Sequence, residues 1–225
     1  MTKTNPVIDC LMNHRSVRKF KPEPIPQETI ETILQAGTRA ATAGSIQPYA
    51  FIVIDDPAVL KKVSYIEGPL AIVAVVDQYR VKRYYEAKGA PFYNDHAINL
   101  FISTWDATLA LQNVVVAAES LGLGTVYIGM ILGIDVREAL VHRNGYRIPS
   151  DDDVRAWYRE ADERWRNWFV NEASDEQRKK FTERGVTNRA QHITLGHYTE
   201  KFVKHETKGL LANLEAAGFR VTGDA

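Results

Sequence analysis

Residues 117–129, Ala117-Ala-Glu-Ser-Leu-Gly-Leu-Gly-Thr-Val-Tyr-Ile-Gly129, carry the transition on which the fold reading turns. Upstream of them runs the longest helical pattern in the chain, from about Asp95 to Leu121. Ile98, Ile102, Trp105, Leu109 and Val116 leave it little polar surface, which assigns it to the core. Gly122 and Gly124 end it, and Thr125–Ile128 reads as a strand that stops at Gly129. Two further strand patterns precede it. One is Tyr49–Ile54, stopped by Asp55-Asp56-Pro57. The other is Leu70–Val76, a Val/Ile/Ala run without alternation, as expected of a strand covered on both faces. Strands and helices mix along the chain, so a layered α+β or α/β domain is expected.

Toward the N-terminus, Asn5 is placed to cap a short helix with Pro6 at its first position and Val7, Ile8, Leu11 and Met12 on one face. That helix runs into the basic cluster His14-Arg15-Ser16-Val17-Arg18-Lys19. The segment Lys21–Pro26 holds three prolines and is not helical. A second helix starts at about Gln27, with Ile30, Ile33, Leu34 and Gly37 at helical spacing, and Ala40–Pro48 is a loop of small and polar residues. Val59–Val63 suits a short helix. The polar, tyrosine-rich stretch Asp77–Asn94, with Gly89 and Pro91, reads as a surface excursion.

Toward the C-terminus, Asp135–Leu140 reads as a brief helix and Asn144-Gly145 as a turn. Asp151–Asp153 open a helix with acids at its positive end. Its stripe is Val154, Trp157, Tyr158, Ala161, Trp165, Trp168 and Phe169, more in keeping with a core or dimer seam than with a cofactor box. Ser174 and Glu176–Phe181 suggest a further helical turn or two, Gly185–His197 is irregular, and His197–Ala217 is largely helical before Gly218.

Composition narrows the function classes. The chain has 225 residues, 45% apolar and 25% charged, with 28 basic and 28 acidic side chains. A zero net charge argues against a dedicated nucleic-acid or anionic-membrane binder. The single cysteine, Cys10, excludes intramolecular disulfides and cysteine-rich zinc sites and points to a reducing compartment. Cys10 lies near an apolar helix face and reads as a buried, inert thiol. His192, His197 and His205, with Glu200 and Glu206, do not share a helical face, so no zinc site is read. No continuous apolar run reaches the roughly 20 residues of a membrane span, and no signal peptide is read. Walker, GxGxxG, HExxH and GxSxG patterns are absent. Arg15 and Arg18, with Ser16, could form a phosphate grip, or a solvated basic helix end that complements the dipole. Gly129 either admits a flat ligand to the backbone or simply serves a strand exit.

Taken in order, these segments resemble the nitroreductase family of FMN-dependent NAD(P)H oxidoreductases, and in particular the larger oxygen-insensitive nitroreductase and NADPH–flavin reductase subgroup. The resemblance is carried by His14-Arg-Ser-Val-Arg18 and Pro24-Ile-Pro26, then Ala41-Thr-Ala-Gly-Ser-Ile-Gln-Pro-Tyr49. It continues through Gln112-Asn113, Ala117–Gly124, Tyr127-Ile-Gly129 and Arg184-Gly-Val-Thr-Asn-Arg189. It implies an α+β, three-layer α-β-α sandwich with a central mixed sheet flanked by helices. That would be a single domain over 1–225, with 151–225 as a helical C-terminal extension, assembled as a homodimer in the cytoplasm.

The resemblance further implies that His14, Arg15, Ser16 and Arg18 bind the FMN phosphate and ribityl. It implies that Thr42, Gly44, Ser45 and Gln47 meet FMN from the partner subunit, and that Tyr127, Ile128, Gly129 and Met130 lie along the isoalloxazine. Arg184 and Arg189 would take the NADPH phosphate. The expected activity is ping-pong hydride transfer from NADPH or NADH through FMN to a nitroaromatic, quinone or flavin. The alternative is a flavin-binding or storage protein without efficient turnover. No protein side chain is assigned as catalytic acid, base or nucleophile. The chain departs from the family pattern in two places. Ser64–Pro69 is too short for the usual Gly-Gly-Gln turn, and Leu140 runs directly into Val141–Tyr146, without the usual Pro-rich loop and Lys-Pro-Arg segment.

Overall fold

The computed structural model describes residues 4–93, 96–129 and 150–216. The expected helix Asp135–Leu140, the turn Asn144-Gly145 and the binding residue Met130 fall outside them. The chain divides into two compact units. The first takes in the described residues of Met1–Ala41, Tyr49–Val75 and Asp106–Arg147. The second takes in those of Thr42–Pro48, Val76–Trp105 and Ile148–Ala225.

In the first unit, helix α1 (Pro6–Met12) starts as its sequence dictates. The Asn5 side chain accepts from the amides of Val7 and Ile8 at 3.0 Å, satisfying two of the donors a helix start leaves open. None of its residues is buried. Helix α2 (Gln27–Gly37) buries Ile30, Ile33 and Gly37. Strand β1 (Tyr49–Ile54) pairs with β2 (Ala71–Val76) in a two-stranded sheet. Between them, α3 (Pro57–Val63) is capped by Asp56, which accepts from the Ala58 amide at 2.8 Å. It buries Leu60 and Val63 against Ile54. Helix α5 (Ala97–Ser120) belongs to the first unit from Asp106 onward. There Val114 and Ala118 pack with Ile33 and Phe51. Gly37 makes this approach possible: a Cβ there would sit 2.7 Å from Val114 Cγ2 and 2.9 Å from Phe51 Cζ.

Three expectations are corrected in these elements. Among the described residues Thr125–Ile128 is not a third sheet strand. It forms one isolated parallel bridge, Ser16 to Thr125, with the Val17 amide donating to the Thr125 carbonyl at 2.8 Å. β2 is half-buried along its length rather than covered on both faces. α5 is a core helix on one side only, because Leu100, Trp105 and Leu109 are each more than half exposed. Among the described residues α5 alone is long and apolar enough to cross a membrane, by length and composition. Its Asn99, Ser103 and Asp106 are buried within protein all the same, and Ser103 Oγ donates to the Asn99 carbonyl at 2.6 Å.

The second unit overturns the surface-excursion reading of Asp77–Asn94. Helix α4 (Gln78–Ala87) occupies it, and its Val81, Tyr84 and Tyr85 are completely or almost completely buried. These three, at i, i+3 and i+4, form the centre of the unit's core with Val154, Tyr158, Ala190 and Ile193. The C-terminal tryptophan stripe spans two helices, α6 (Asp151–Trp157) and α7 (Arg159–Asn171), which break at Tyr158. α6 opens on a reciprocal Ser150–Asp153 capping box, and α8 (Asp175–Glu183) on a Ser174–Gln177 one. Trp165 and Trp168 pack with Phe169, Phe181 and His192 in one aromatic cluster, while Trp157 is exposed. Gly185–His197 is not irregular throughout: one α-turn, Arg189–Gln191, leads into a π-helical turn, His192–His197. Gly196 serves that turn, since a Cβ there would meet His192 Cδ2 at 3.0 Å and Phe181 Cε1 at 3.1 Å. Helix α9 (Glu200–Ala216) is the last described element.

Candidate functional site

In the first unit the structure brings the His14–Arg18 and Thr125–Gly129 segments side by side. The Ser16–Thr125 bridge holds their backbones together. Gly124 permits the approach, because a Cβ there would press on the Val17 side chain at 3.0 Å. Glu119, near the end of α5, ties the pair from below: its Oε1 meets His14 Nδ1 at 2.8 Å and accepts from Thr125 Oγ1 at 2.6 Å. Arg15 and Arg18 remain exposed. Arg15 lines an open cleft of about 480 Å³ with Asn13, Glu119 and Gly124. Cys10 also faces this cleft and is half-buried, with Sγ 3.7 Å from the Val116 carbonyl.

Beyond the bridge, Tyr127 donates to Gln112 Oε1 at 3.1 Å. Burial, and secondarily the Glu119 carboxylate, push its phenol above the ordinary range, so it stays protonated at neutral pH. A Cβ on Gly129 would meet nothing within 4 Å. An anionic, flat ligand such as FMN fits this donor set. Two exposed guanidiniums and the Ser16 hydroxyl suit a phosphate, and an open glycine backbone suits a planar ring. Behind the bridge, an apolar cavity of about 260 Å³ reaches from Phe20 and Val63 to Leu111 and Tyr127.

The other expected residues belong to the second unit. The loop Thr42–Pro48 contains a 3-10 turn, Ala43–Ser45, and three left-handed residues: Gly44 (φ 57°), Ser45 (φ 53°) and Gln47 (φ 50°). Gly44 and Ser45 are exposed, while Thr42 and Gln47 are half-buried. Arg184 is exposed at the end of α8 and donates to the Leu195 carbonyl at 3.4 Å. Arg189 is different. It is only 5% exposed, and its guanidinium is taken up inside the unit. Nη1 meets Tyr84 Oη at 3.2 Å, and Nη2 donates to the Gly44 carbonyl at 3.1 Å and to the Ser45 carbonyl. The two arginines expected to act together on a coenzyme phosphate are thus in unlike surroundings.

Tyr84 in turn donates to Asp162 Oδ1 at 2.5 Å, and Asp162 pairs with Lys88 at 2.6 Å. Burial raises the Tyr84 phenol well beyond its ordinary range against the lowering pull of Arg189. Burial likewise raises Tyr158, opposed by Arg80 and Arg189. Sequence reasoning missed Glu119, Tyr84, Asp162 and Tyr158. One signal was present: Asp162 interrupts the otherwise apolar stripe of α7, next to Ala161 and one turn from Tyr158 and Trp165.

The bridged segments lie inside the part of the chain that matches known sequences. Residues 11–148, more than half of the chain, match the nitroreductase family. The chain belongs to that family. An NADPH-dependent oxidoreductase of Staphylococcus saprophyticus is 38% identical over 134 residues, covering 56% of this chain and 53% of the relative. An FMN reductase (NADPH) of Bacillus subtilis is 33% identical over 137 residues, covering 56% and 55%. The chain therefore spans about half the length of the curated relatives it matches. Nitroreductase A of Vibrio parahaemolyticus superposes with a TM-score of 0.54 at 26% identity, over 85% of this chain and 95% of that one. This nitroreductase-family chain is thus a helix-rich α+β protein with a small sheet.

Proposed function

We propose that the protein is an FMN-dependent NAD(P)H oxidoreductase that reduces small acceptors such as nitroaromatics, quinones or free flavin. Family membership and relatives named NADPH-dependent oxidoreductase and FMN reductase (NADPH) support the reading. The structural observation that carries it is the Ser16–Thr125 pairing, which sets the basic segment beside the open backbone of Tyr127–Gly129. When bound, FMN supplies the hydride chemistry, and the protein supplies binding, orientation and electrostatics.

Arg15, Ser16 and Arg18 hold the phosphate, with His14 oriented by Glu119. The protonated Tyr127 hydroxyl, steadied by Gln112, borders the ring. Gly129 leaves the ring face clear for nicotinamide and acceptor in alternation. Arg184, exposed and on a glycine-containing loop, takes the extra phosphate of NADPH. The working form is a cytoplasmic homodimer built as a three-layer sandwich, in which Thr42, Gly44, Ser45 and Gln47 complete the partner subunit's flavin site. Leu11 and Met12 on α1, with Trp105 and Leu109 on α5, supply uncovered apolar surface for that assembly.

The test is direct. The purified protein should be yellow or take up FMN stoichiometrically, and NADPH should bleach the flavin absorbance. Failure to bind FMN overturns the reading. Binding without bleaching by either nicotinamide leaves the storage alternative in its place.

A further inference from the structure

From the second unit we infer that Arg189, with Tyr158 and Arg80, is a positioning residue that holds the Thr42–Pro48 loop in its ligand-contacting shape. The inference rests on the proposed flavin role of that loop. Five consecutive carbonyls of the loop are fixed from within the unit. Gly44 and Ser45 accept from Arg189 Nη2. Ile46 accepts from Tyr158 Oη at 3.1 Å, Gln47 from Arg80 Nη2 at 2.5 Å, and Pro48 from the Asp77 amide at 2.8 Å. The apolar anchors in this loop of small and polar residues are Ile46, buried among Val81, Tyr84 and Tyr158, and Pro48 at its end. Its shape is also costly. Ser45 and Gln47 hold left-handed dihedrals that side chains with a Cβ disfavour, and such strain persists only where the surroundings over-determine it.

The surroundings here do so with three cationic or phenolic donors that are themselves braced. Arg189 and Arg80 lie 5.8 Å and 5.9 Å from the Tyr158 ring centroid, and Tyr158 stacks on Tyr84 at 4.1 Å. Tyr84 is anchored to Asp162. With its carbonyls committed inward, the loop keeps the exposed Ser45 on its other side, available to a ligand. The same geometry removes Arg189 from coenzyme recognition. Its fork is spent on two carbonyls and a phenol at 5% exposure, which leaves Arg184 for any phosphate.

Three variants test this: Arg189→Lys, which keeps the charge but loses the fork; Tyr158→Phe, which removes one hydroxyl and keeps the stacking ring; and Arg184→Ala. Amide hydrogen exchange is read on the ligand-free protein, FMN affinity by fluorescence titration, and coenzyme preference as the NADPH/NADH ratio of kcat/KM. Both clamp variants should speed exchange of the 42–47 amides more than that of α4, at unchanged native circular dichroism. Arg189→Lys should weaken FMN about tenfold, and Tyr158→Phe less. The coenzyme ratio should fall in Arg184→Ala alone. Unchanged loop exchange in both clamp variants overturns the clamp itself. Faster exchange with unchanged FMN affinity overturns its service to the ligand. A coenzyme ratio lowered by Arg189→Lys returns that residue to coenzyme binding. Failure of the unsubstituted protein to bind FMN defeats the proposed function instead, and the exchange experiment still decides the clamp.

Discussion

The two segments expected to meet a flavin are held in opposite ways. His14–Arg18 is pinned by one backbone bridge and by the His14–Glu119 contact, and leaves Arg15 and Arg18 exposed. Thr42–Pro48 is pinned at four carbonyls by side chains from α4, the α6–α7 break and the Arg189 turn, and at a fifth by the Asp77 amide. In the first, the proposed binding chemistry belongs to the residues of the motif itself. In the second, the motif's shape depends on donors far away in sequence. Mutations should therefore separate the two: losses at the first segment fall on ligand affinity, and losses behind the second fall on stability and loop order.

The largest effect is expected at Asp162→Ala. The substitution leaves the buried Arg189, whose Nη1 lies 3.9 Å from Asp162 Oδ1, and the half-buried Lys88 without their carboxylate, and breaking a buried pair costs about 3–5 kcal/mol. Urea unfolding should show a lower midpoint at unchanged slope. A loss under about 1 kcal/mol would mean that the network is solvated and that the contrast with the first segment fails.

Arg15→Ala and Arg18→Ala should each weaken FMN by about 1.5–3 kcal/mol, the usual worth of a charged hydrogen bond. Their unfolding midpoints should match the parent, since both side chains are exposed. Fluorescence titration beside denaturant unfolding reads the two quantities separately. A stability loss without an affinity loss would invert the comparison.

Alkaline pH sharpens it further. Tyr84 and Tyr158 are raised in the folded state, whereas an unfolded-chain tyrosine ionises near pH 10. Below about pH 10 both states hold the protons and the phenols add no slope. Above it the unfolded chain releases them first, so stability falls by about 1.4 kcal/mol per pH unit for each buried phenol. Tyr84→Phe should remove part of that slope. Tyr127→Phe should remove less, because Tyr127 is 44% exposed. Equal slopes in all three proteins would contradict the difference in burial.

The sequence was most readable where a local rule sufficed. Asn5 with Pro6 and the Ile30–Ile33–Leu34–Gly37 spacing located α1 and α2, and the Val59–Val63 reading found α3 two residues past its start at Pro57. The β1 strand ended at its Asp-Asp-Pro stop. The unread parts depend on partners distant in the chain. α4 looked like solvent-exposed chain because its buried face is tyrosine among arginines and lysines. Burying Tyr84 is favourable only with Asp162 to receive its proton donor, and nothing local announces that pair. The Thr125–Ile128 run has strand composition, yet among the described residues it pairs only with Ser16, because Gly124 admits Val17 where a sheet neighbour was expected. On the site, the motif residues were expected through family resemblance. The burial of Arg189 was not legible, because a motif shows which residues are present and not whether they face solvent.

The Ser16–Thr125 bridge also has a kinetic meaning. His14 and Glu119, which flank it, are 105 residues apart in the sequence. Closing a loop of that length requires chain entropy to be given up before any contact rewards it, so contacts of this range form late and slow the folding of proteins that rely on them. The proposed phosphate grip is then a product of folding and not its seed. FMN added to refolding chains should leave the folding rate unchanged and slow unfolding of the finished protein, because it binds an arrangement absent from the early chain. Stopped-flow chevrons with and without FMN would show the ligand acting on the unfolding limb alone.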